Sequence, residues 1–321
     1  MYAFVPVAAA IISMVLAYLV RFLVEERRRH RVQHAFSHYL APSIVDRLAE
    51  SEAELRLGGE RREITVMFAD LSGFTALSTR LPPEELMAVT NTYHAMMVEA
   101  VEATGGYVNQ FLGDAVMAIW GAPLADLDHA ASAASAALRI VEKIMQAKAE
   151  ADAQGVPGYA VKIGINTGPA VVGNVGAAKR YNYTAVGETV NIAARLESVP
   201  EDYGCRIVVG PATAAAIADR FELCELDWIK VKGKDEAFSV FQLIGEKASA
   251  ESAEMRYREQ YGAGLECYRA GDFATAEGIW RQQATGSISL SSAALTMAKR
   301  CSDLKSAPPA VWDGVFVKTS K

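Results

Sequence analysis

Cysteine is scarce and scattered in this sequence. There are four, Cys205, Cys224, Cys267 and Cys301, with no Cys-x-x-Cys pair among them. That argues against a zinc site or a disulfide framework and fits a reducing compartment. An excess of positive charge is also missing. Lys and Arg number 32 against 38 Asp and Glu, a net charge of −6. Nothing global therefore points to nucleic acid as a partner, and an anionic substrate needs local basic residues. Strict alternation of strand and helix patterns is absent too, which argues against a doubly wound parallel sheet. What remains is a chain of 321 residues, 51% apolar, enough for one large domain or two smaller ones with a sizeable core.

Charge is absent altogether from Tyr2 to Val20, YAFVPVAAAIISMVLAYLV, and Phe-Leu-Val follows Arg21. That run has the length of a bilayer-spanning helix. A signal peptide would want a basic N-terminal region and a small-residue cleavage site, and neither is evident. The reading is a transmembrane helix over 1–26. Arg27, Arg28, Arg29 and Arg31 follow it and place the rest of the chain in the cytoplasm, at the inner or plasma membrane. A sensor domain upstream of this start fits the same reading. Residues 27–59 are read as a connector helix, with Phe36, Leu40, Ile44 or Val45, and Leu48 at helical spacing. It is either a simple linker or a parallel two-helix connector that pairs two chains.

Strands and helices then mix. REITVMFADLSGFT reads as a buried strand, Ile64 to Ala69, ending at Asp70. PPEELMAVTNTYHAMMVEAVEATGG reads as a helix started by Pro82-Pro83 and stopped by Gly105-Gly106. NQFLGDAVMAIW is a hairpin with Gly-Asp at its turn. An Ala-rich helix, the strand YAVKIGINTG, the helix GETVNIAARLESVP, the strand CRIVVG, a short helix and a last hairpin, ELDWIKVKGKDEAFSVFQLI, complete residues 60–246. The hairpins require antiparallel pairs, so the fold class is α+β. Residues 247–321 are read as a helical extension. Tyr261, Leu265, Tyr268, Phe273, Ala276 and Trp280 are spaced like a tetratricopeptide-type helical hairpin, broken at Gly271-Asp272. One such hairpin cannot bury its own face, so it is expected to pack on the main domain as a capping appendage.

Three places carry candidate chemistry. Asp70 ends a core strand and Asp114 tips a hairpin. If those strands are neighbours, the two carboxylates form a hard-oxygen site for Mg²⁺, with phosphate oxygens completing the shell; otherwise both are solvated turn residues. Asn191 and Arg195 stand at i and i+4 of one helix and share a face. An amide and a guanidinium there suit a phosphate or a developing oxyanion, or form an ordinary exposed face. Lys230, Lys232 and Lys234 in KVKGK suit a triphosphate or a basic turn.

Taken in order, VMFADLSGFT, FLGDAVMA, GINTG, YTAVGETVNIAARLE and VKGK resemble the class III nucleotidyl cyclases, over roughly Glu60 to Leu243. These enzymes turn ATP, or less often GTP, into the 3′,5′-cyclic monophosphate and pyrophosphate. The uncharged N-terminal run, the connector and the ending PPAVWDGVFVK look like bacterial adenylyl cyclases that carry an extracytoplasmic CHASE2 sensor. The resemblance implies a ferredoxin-like core related to polymerase palms, and a homodimer with sites shared between head-to-tail chains. It implies two divalent ions per site, Mg²⁺ or Mn²⁺, held by Asp70, Asp114 and the backbone carbonyl of Leu71. Asn191 matches the ribose-positioning residue, Arg195 the one that stabilises charge on the α-phosphate, and Lys232 a lysine that holds the terminal phosphates. Thr184 matches a base-reading position. Phe74 and Thr75, just after Asp70, are counted with the substrate-binding positions.

Two positions depart from the family pattern. Gln110 stands where adenylyl cyclases usually have a lysine that donates to adenine N1. Its amide can donate that bond without charge, or turn its carbonyl outward and accept from guanine N1–H. Pro169 follows GINTG, where some members carry a phosphate-binding arginine. The implied activity is a membrane-anchored adenylyl cyclase, with a guanylyl cyclase and a catalytically silent dimerisation or nucleotide-sensing module as alternatives. A diguanylate cyclase would want a Gly-Gly-[Asp/Glu]-Glu-Phe hairpin, and FLGDAV fills that place.

Overall fold

The computed structural model describes residues 14, 17–19, 21, 58–74, 78–79, 81–153, 158–177, 180–231, 236–247, 252–284 and 291–318. The chain divides into two compact units, Met1–Leu55 and Arg56–Lys321. In the first, Met14, 17–19 and Arg21 are helical. Otherwise the expected transmembrane helix over 1–26 and the connector as far as residue 57 lie outside the described residues. Among the described residues no helix is long and apolar enough to cross a membrane. The last two connector positions, Gly58 and Gly59, belong to the first strand instead, because they pair with Asn174 and Gly173 across the sheet.

The second unit begins β1 (Gly58–Ser72), α1 (Pro83–Glu102), β2 (Tyr107–Leu112), β3 (Ala115–Trp120), α2 (His129–Ala153) and β4 (Ala160–Ala177). These strands lie in the order β2-β3-β1-β4. β3 is antiparallel to β2 and to β1, and β4 is antiparallel to β1. This is a split βαβ core of ferredoxin-like type. The chain continues through β5 (Arg180–Val186), α3 (Glu188–Leu196), α4 (Val199–Tyr203), β6 (Ile207–Val209), α5 (Pro211–Ile217), β7 (Phe221–Lys230) and β8 (Phe238–Glu246). It ends with α6 (Ser252–Arg269), α7 (Phe273–Gln283), α8 (Ser291–Ser306) and β9 (Phe316–Val317). The sheet extends as β4-β6-β8-β7-β9, and β5 folds back on β4.

Alternation along the strands sorts side chains to the two faces of the sheet. Met67, Ala69 and Leu71 of β1 and Ile207 and Val209 of β6 join Tyr93, Met97 and Val101 of α1 in one core. The same core takes six alanines of α2, whose small side chains allow a close approach to the sheet. Val208 of β6 and Cys224 and Leu226 of β7 face the other way. They pack with Leu196, Val199 and Tyr203, and with Tyr261, Leu265, Tyr268 and Trp280 of α6 and α7. Each large apolar side chain buried this way contributes about 1.5–3 kcal/mol.

The helices after Ser252 therefore share a core with the sheet. Arg258 pairs with Glu222, Arg269 lies 2.6 Å from Glu225, and Tyr261 Oη donates to Leu226 O at 3.1 Å. β9 adds a short parallel strand beside β7, with Ile229 opposite Phe316.

Two stretches differ from the sequence expectation. β4 runs past GINTG to Ala177, and β5 pairs with it from Val171↔Val186 to Ala177↔Arg180. The helix expected from Gly187 and closed before Pro200 stops at Leu196, and a separate short helix, α4, begins at Val199.

Candidate active site

Asp70 and Asp114 come together at one end of the sheet. Met67, Ala69 and Leu71 point into the α1/α2 core, so Asp70, between them, points to the opposite face. In the hairpin, Leu112 pairs with Ala115, leaving Gly113-Asp114 as a two-residue loop. Gly113 has φ +68°, which glycine adopts cheaply at the first central position of such a turn. Val116 lies opposite Ala69, and this register carries the loop to the end of β1. The Asp114 carboxyl shares a hydrogen bond with Asp70 and accepts from the backbone of Leu71. Burial, then the Asp70 carboxylate, pushes its pKa up to about 7.

Lys162 lies opposite Asp70 in the β1–β4 register. Its ammonium is 3.2 Å from Asp70, 3.1 Å from Glu197 and 3.0 Å from Glu201. Burial lowers its pKa, but these three carboxylates outweigh that and raise it. Burial raises Glu197, Lys162 opposes this and Asp70 adds to it. Neither Lys162 nor Glu197 was singled out from sequence. A lone lysine inside the apolar run AVKIGI was the available signal.

This donor set suits a divalent cation. Two adjoining carboxylates leave Asp114 raised even with Lys162 beside Asp70, and a metal ion would relieve that repulsion. Among the described residues no three His, Cys, Asp or Glu side chains form a metal cage. Most of a Mg²⁺ shell would therefore fall to phosphate oxygens and water, as Mg²⁺ favours.

A carboxyl raised in the folded state destabilises the fold as pH climbs from its unfolded value, near 3.8, to about 7. Metal-free protein is accordingly expected to lose some thermal stability over that window. Added Mn²⁺ is expected to raise Tm more at pH 8 than at pH 5.5, because protons compete for Asp114 below 7. Thermal scans at the two pH values check this; a Mn²⁺ shift larger at pH 5.5 would contradict it.

Asn191 and Arg195 occupy the outer face of α3. Thr189, Ala193 and Leu196 bury the inner face, while Asn191 is exposed and Arg195 half-exposed. Each residue turns about 100° round a helix, so Arg195 lies about 200° from Glu197, the residue that reaches Lys162 and Asp70. The seating is close. A Cβ on Gly164 of β4 would stand 2.2 Å from Glu197 N, so only glycine lets the end of α3 sit there. The same-chain Asn191 and Arg195 thus face away from Asp70 and Asp114.

Gln110 and Thr184 meet from different strands. β5 returns along β4 until Tyr183 and Thr184 reach β2. Asn109 sits where the β2–β3 register slips, between Val108 and Gln110. Thr184 Oγ1 donates to Asn109 Oδ1 at 2.9 Å, and Asn109 Nδ2 donates to Tyr183 O at 2.7 Å. Gln110, beside it, is exposed. Asn109 was not recognised from sequence, because only the bulge aims it at β5. Phe74 is half-buried against the α1/α2 core. Thr75 and Lys232 lie outside the described residues. Pro169 O accepts from Thr189 Oγ1 at 2.8 Å, so that position anchors the start of α3.

Known proteins resemble this chain in sequence and fold. Residues 59–245 match the family described as adenylate and guanylate cyclase catalytic domain. Adenylate cyclase 1 of Rhizobium meliloti is 38% identical over 213 residues, 65% of this chain and 32% of that protein. The chain thus spans about a third of that relative's length. The crystal structure of the adenylyl cyclase CyaB from P. aeruginosa superposes with TM-score 0.56 at 30% identity, over 61% of this chain and 100% of CyaB. That of the guanylyl cyclase Cya2 gives 0.55 at 31%, over 61% of this chain and 98% of Cya2. By its motifs, its fold and the extent of these matches, the chain belongs to the class III adenylate and guanylate cyclase catalytic domain family.

Proposed function

We propose that two copies of the chain form an adenylyl cyclase that converts ATP to 3′,5′-cyclic AMP and pyrophosphate. The carrying observation is the orientation of α3. Its Asn191–Arg195 face turns away from the carboxylate pair of its own chain, so a complete site needs that face from a second copy. Exposed Phe111 and Leu112 at the hairpin, and Val171, Val175 and Val186 on the β4–β5 arm, supply apolar surface for such a pairing. Membrane anchorage through the uncharged run before Arg21, with an upstream sensor, belongs to the same reading.

In the reaction the ribose 3′-oxygen attacks the α-phosphorus and loses its proton. The bond to the β-phosphate oxygen breaks, and pyrophosphate leaves with the bonding pair. Asp70 and Asp114 would hold two divalent ions, which when bound would lower the pKa of the 3′-hydroxyl and neutralise the leaving phosphates. Asn191 of the second copy orients the ribose, and its Arg195 meets charge growing on the α-phosphate, where a preorganised donor contributes most. Lys232 neutralises the terminal phosphates. Gln110 and Thr184 read the base.

Gln110 keeps a guanylyl cyclase as the second reading, and the equal likeness to Cya2 supports weighing it. Gln110→Lys is expected to raise the kcat/KM ratio of ATP over GTP about tenfold, since a fixed donor at adenine N1 repels guanine N1–H. An unchanged ratio would remove Gln110 from the base site.

The deciding assay incubates purified dimer with ATP or GTP and Mg²⁺ or Mn²⁺ and follows cyclic product by chromatography. Cyclic AMP formation supports the proposal. A preference for GTP reassigns the base, and no product from either nucleotide by intact dimers overturns the enzyme reading.

A further inference from the structure

We infer that Asn109 is a specificity-determining residue: it fixes the Thr184 hydroxyl as a hydrogen-bond acceptor and so selects adenine over guanine. This rests on the proposed placement of the base beside Gln110 and Thr184. Three contacts set the direction of the protons. Tyr183 O can only accept, and it takes Asn109 Nδ2 at 2.7 Å and Tyr107 Oη at 3.2 Å. The Asn109 amide is therefore held with Nδ2 toward Tyr183 and Oδ1 toward Thr184. A carbonyl oxygen cannot donate, so the single proton of Thr184 Oγ1 is committed to Asn109 Oδ1 across 2.9 Å.

What the hydroxyl still offers a base is lone pairs. Adenine presents a 6-amino donor beside its N1 acceptor. Guanine presents the 6-oxo acceptor beside an N1–H donor. Placed opposite the 6-position, a hydroxyl that can only accept suits the 6-amino group of adenine and opposes the 6-oxo group of guanine, leaving the N1 edge to Gln110. To accommodate guanine, Thr184 would have to turn its proton outward and leave the half-buried Asn109 Oδ1 unpartnered. Gln110 can satisfy either edge by turning its amide, so discrimination falls to the residue whose proton is already committed. The bulge at Asn109 brings this about: the slip in register between Val108 and Gln110 turns Asn109 toward β5 while Gln110 stays exposed.

The test measures displacement of a fluorescent nucleotide by ATP and by GTP, which does not depend on turnover, alongside kcat/KM for both. Wild-type protein is expected to bind ATP more tightly. Asn109→Ala frees the Thr184 proton and is expected to lower the ATP:GTP ratio roughly tenfold, the weight of one hydrogen bond. Asn109→Asp still offers Thr184 an acceptor but loses the donor to Tyr183 O, and is expected to keep more of the preference than Asn109→Ala. In a Thr184→Val background Asn109→Ala is expected to change the ratio no further, which a merely structural role would not produce. A wild-type preference for GTP, an unchanged ratio in Asn109→Ala, or a full effect in the Thr184→Val background would each overturn the inference. Loss of turnover with selective ATP binding intact would instead count against the cyclase reading alone.

Discussion

Arg195→Ala is expected to lower kcat for cyclic product about 10²–10³-fold, the usual consequence of removing one preorganised donor to transition-state charge. Asp70→Asn is expected to remove activity at least as completely, because the carboxylate pair proposed to hold the metal ions is broken. Neither change should unfold the protein. Arg195 lies on the outer face of α3, away from the buried Thr189, Ala193 and Leu196. Asp70 is a source of repulsion that raises Asp114, so Asp70→Asn removes a cause of that shift, and Lys162 keeps Glu197 and Glu201 as partners; the variant is expected to stay folded at neutral pH. Initial-rate assays with thermal scans check both. Retention of a tenth or more of the wild-type kcat in either variant would contradict the assigned roles.

Arg300→Met is expected to be strongly destabilising although it lies outside the site. Asp227 is fully buried. It accepts from Tyr203 Oη and from the Trp228 backbone N–H, each at 2.7 Å, and pairs with Arg300. The guanidinium also lies over the Phe316 ring at 3.6 Å from its centroid. Removing one partner strands a buried charge, at a cost of about 3–5 kcal/mol, seen as a Tm lower by roughly 10 °C. Burial raises Asp227 and Arg300 opposes that, so without Arg300 the carboxyl rises further. A raised carboxyl loses stability as pH increases, and the Arg300→Met deficit should therefore widen from pH 5 to pH 8. Pairing the change with Asp227→Asn is expected to recover much of the loss; no recovery would mean that packing, not the stranded charge, dominates.

The same contact links the C-terminal helices to the site. Beyond β9, Lys318 pairs with Asp202 and donates to Ser198 O at 3.2 Å. Ser198 Oγ in turn donates to Arg195 O at 3.1 Å. Loss of Arg300, which stacks on Phe316, is therefore expected to loosen the end of the helix that presents Arg195.

Much of this was readable from the sequence where a motif is local. The buried run Ile64–Ala69 ending at Asp70, the Gly113-Asp114 turn and the i, i+4 pair Asn191–Arg195 each depend on residues close in the chain. The long β4–β5 arm was not readable. PAVVGNVGA is interrupted by glycines, and it stays extended through pairing with β1 and β5, a long-range effect. Lys162 and Glu197 escaped notice for the same reason: their role arises only when β4, α3 and β1 converge. Asn109 differs from its neighbours only through a register slip. Most of the expected membrane helix and connector, and Thr75 and Lys232, fall outside the described residues.

The most direct test of a shared site mixes the two inactive chains. Asp70→Asn and Arg195→Ala homodimers are unfolded together, refolded and assayed with ATP. Each mixed dimer should contain one site with intact carboxylates from one copy and an intact Arg195 from the other. With random pairing into symmetric dimers, about a quarter of all sites are restored, so roughly a quarter of wild-type activity is expected. Mixed dimers verified by dual tags that remain inactive would contradict a site built from two copies.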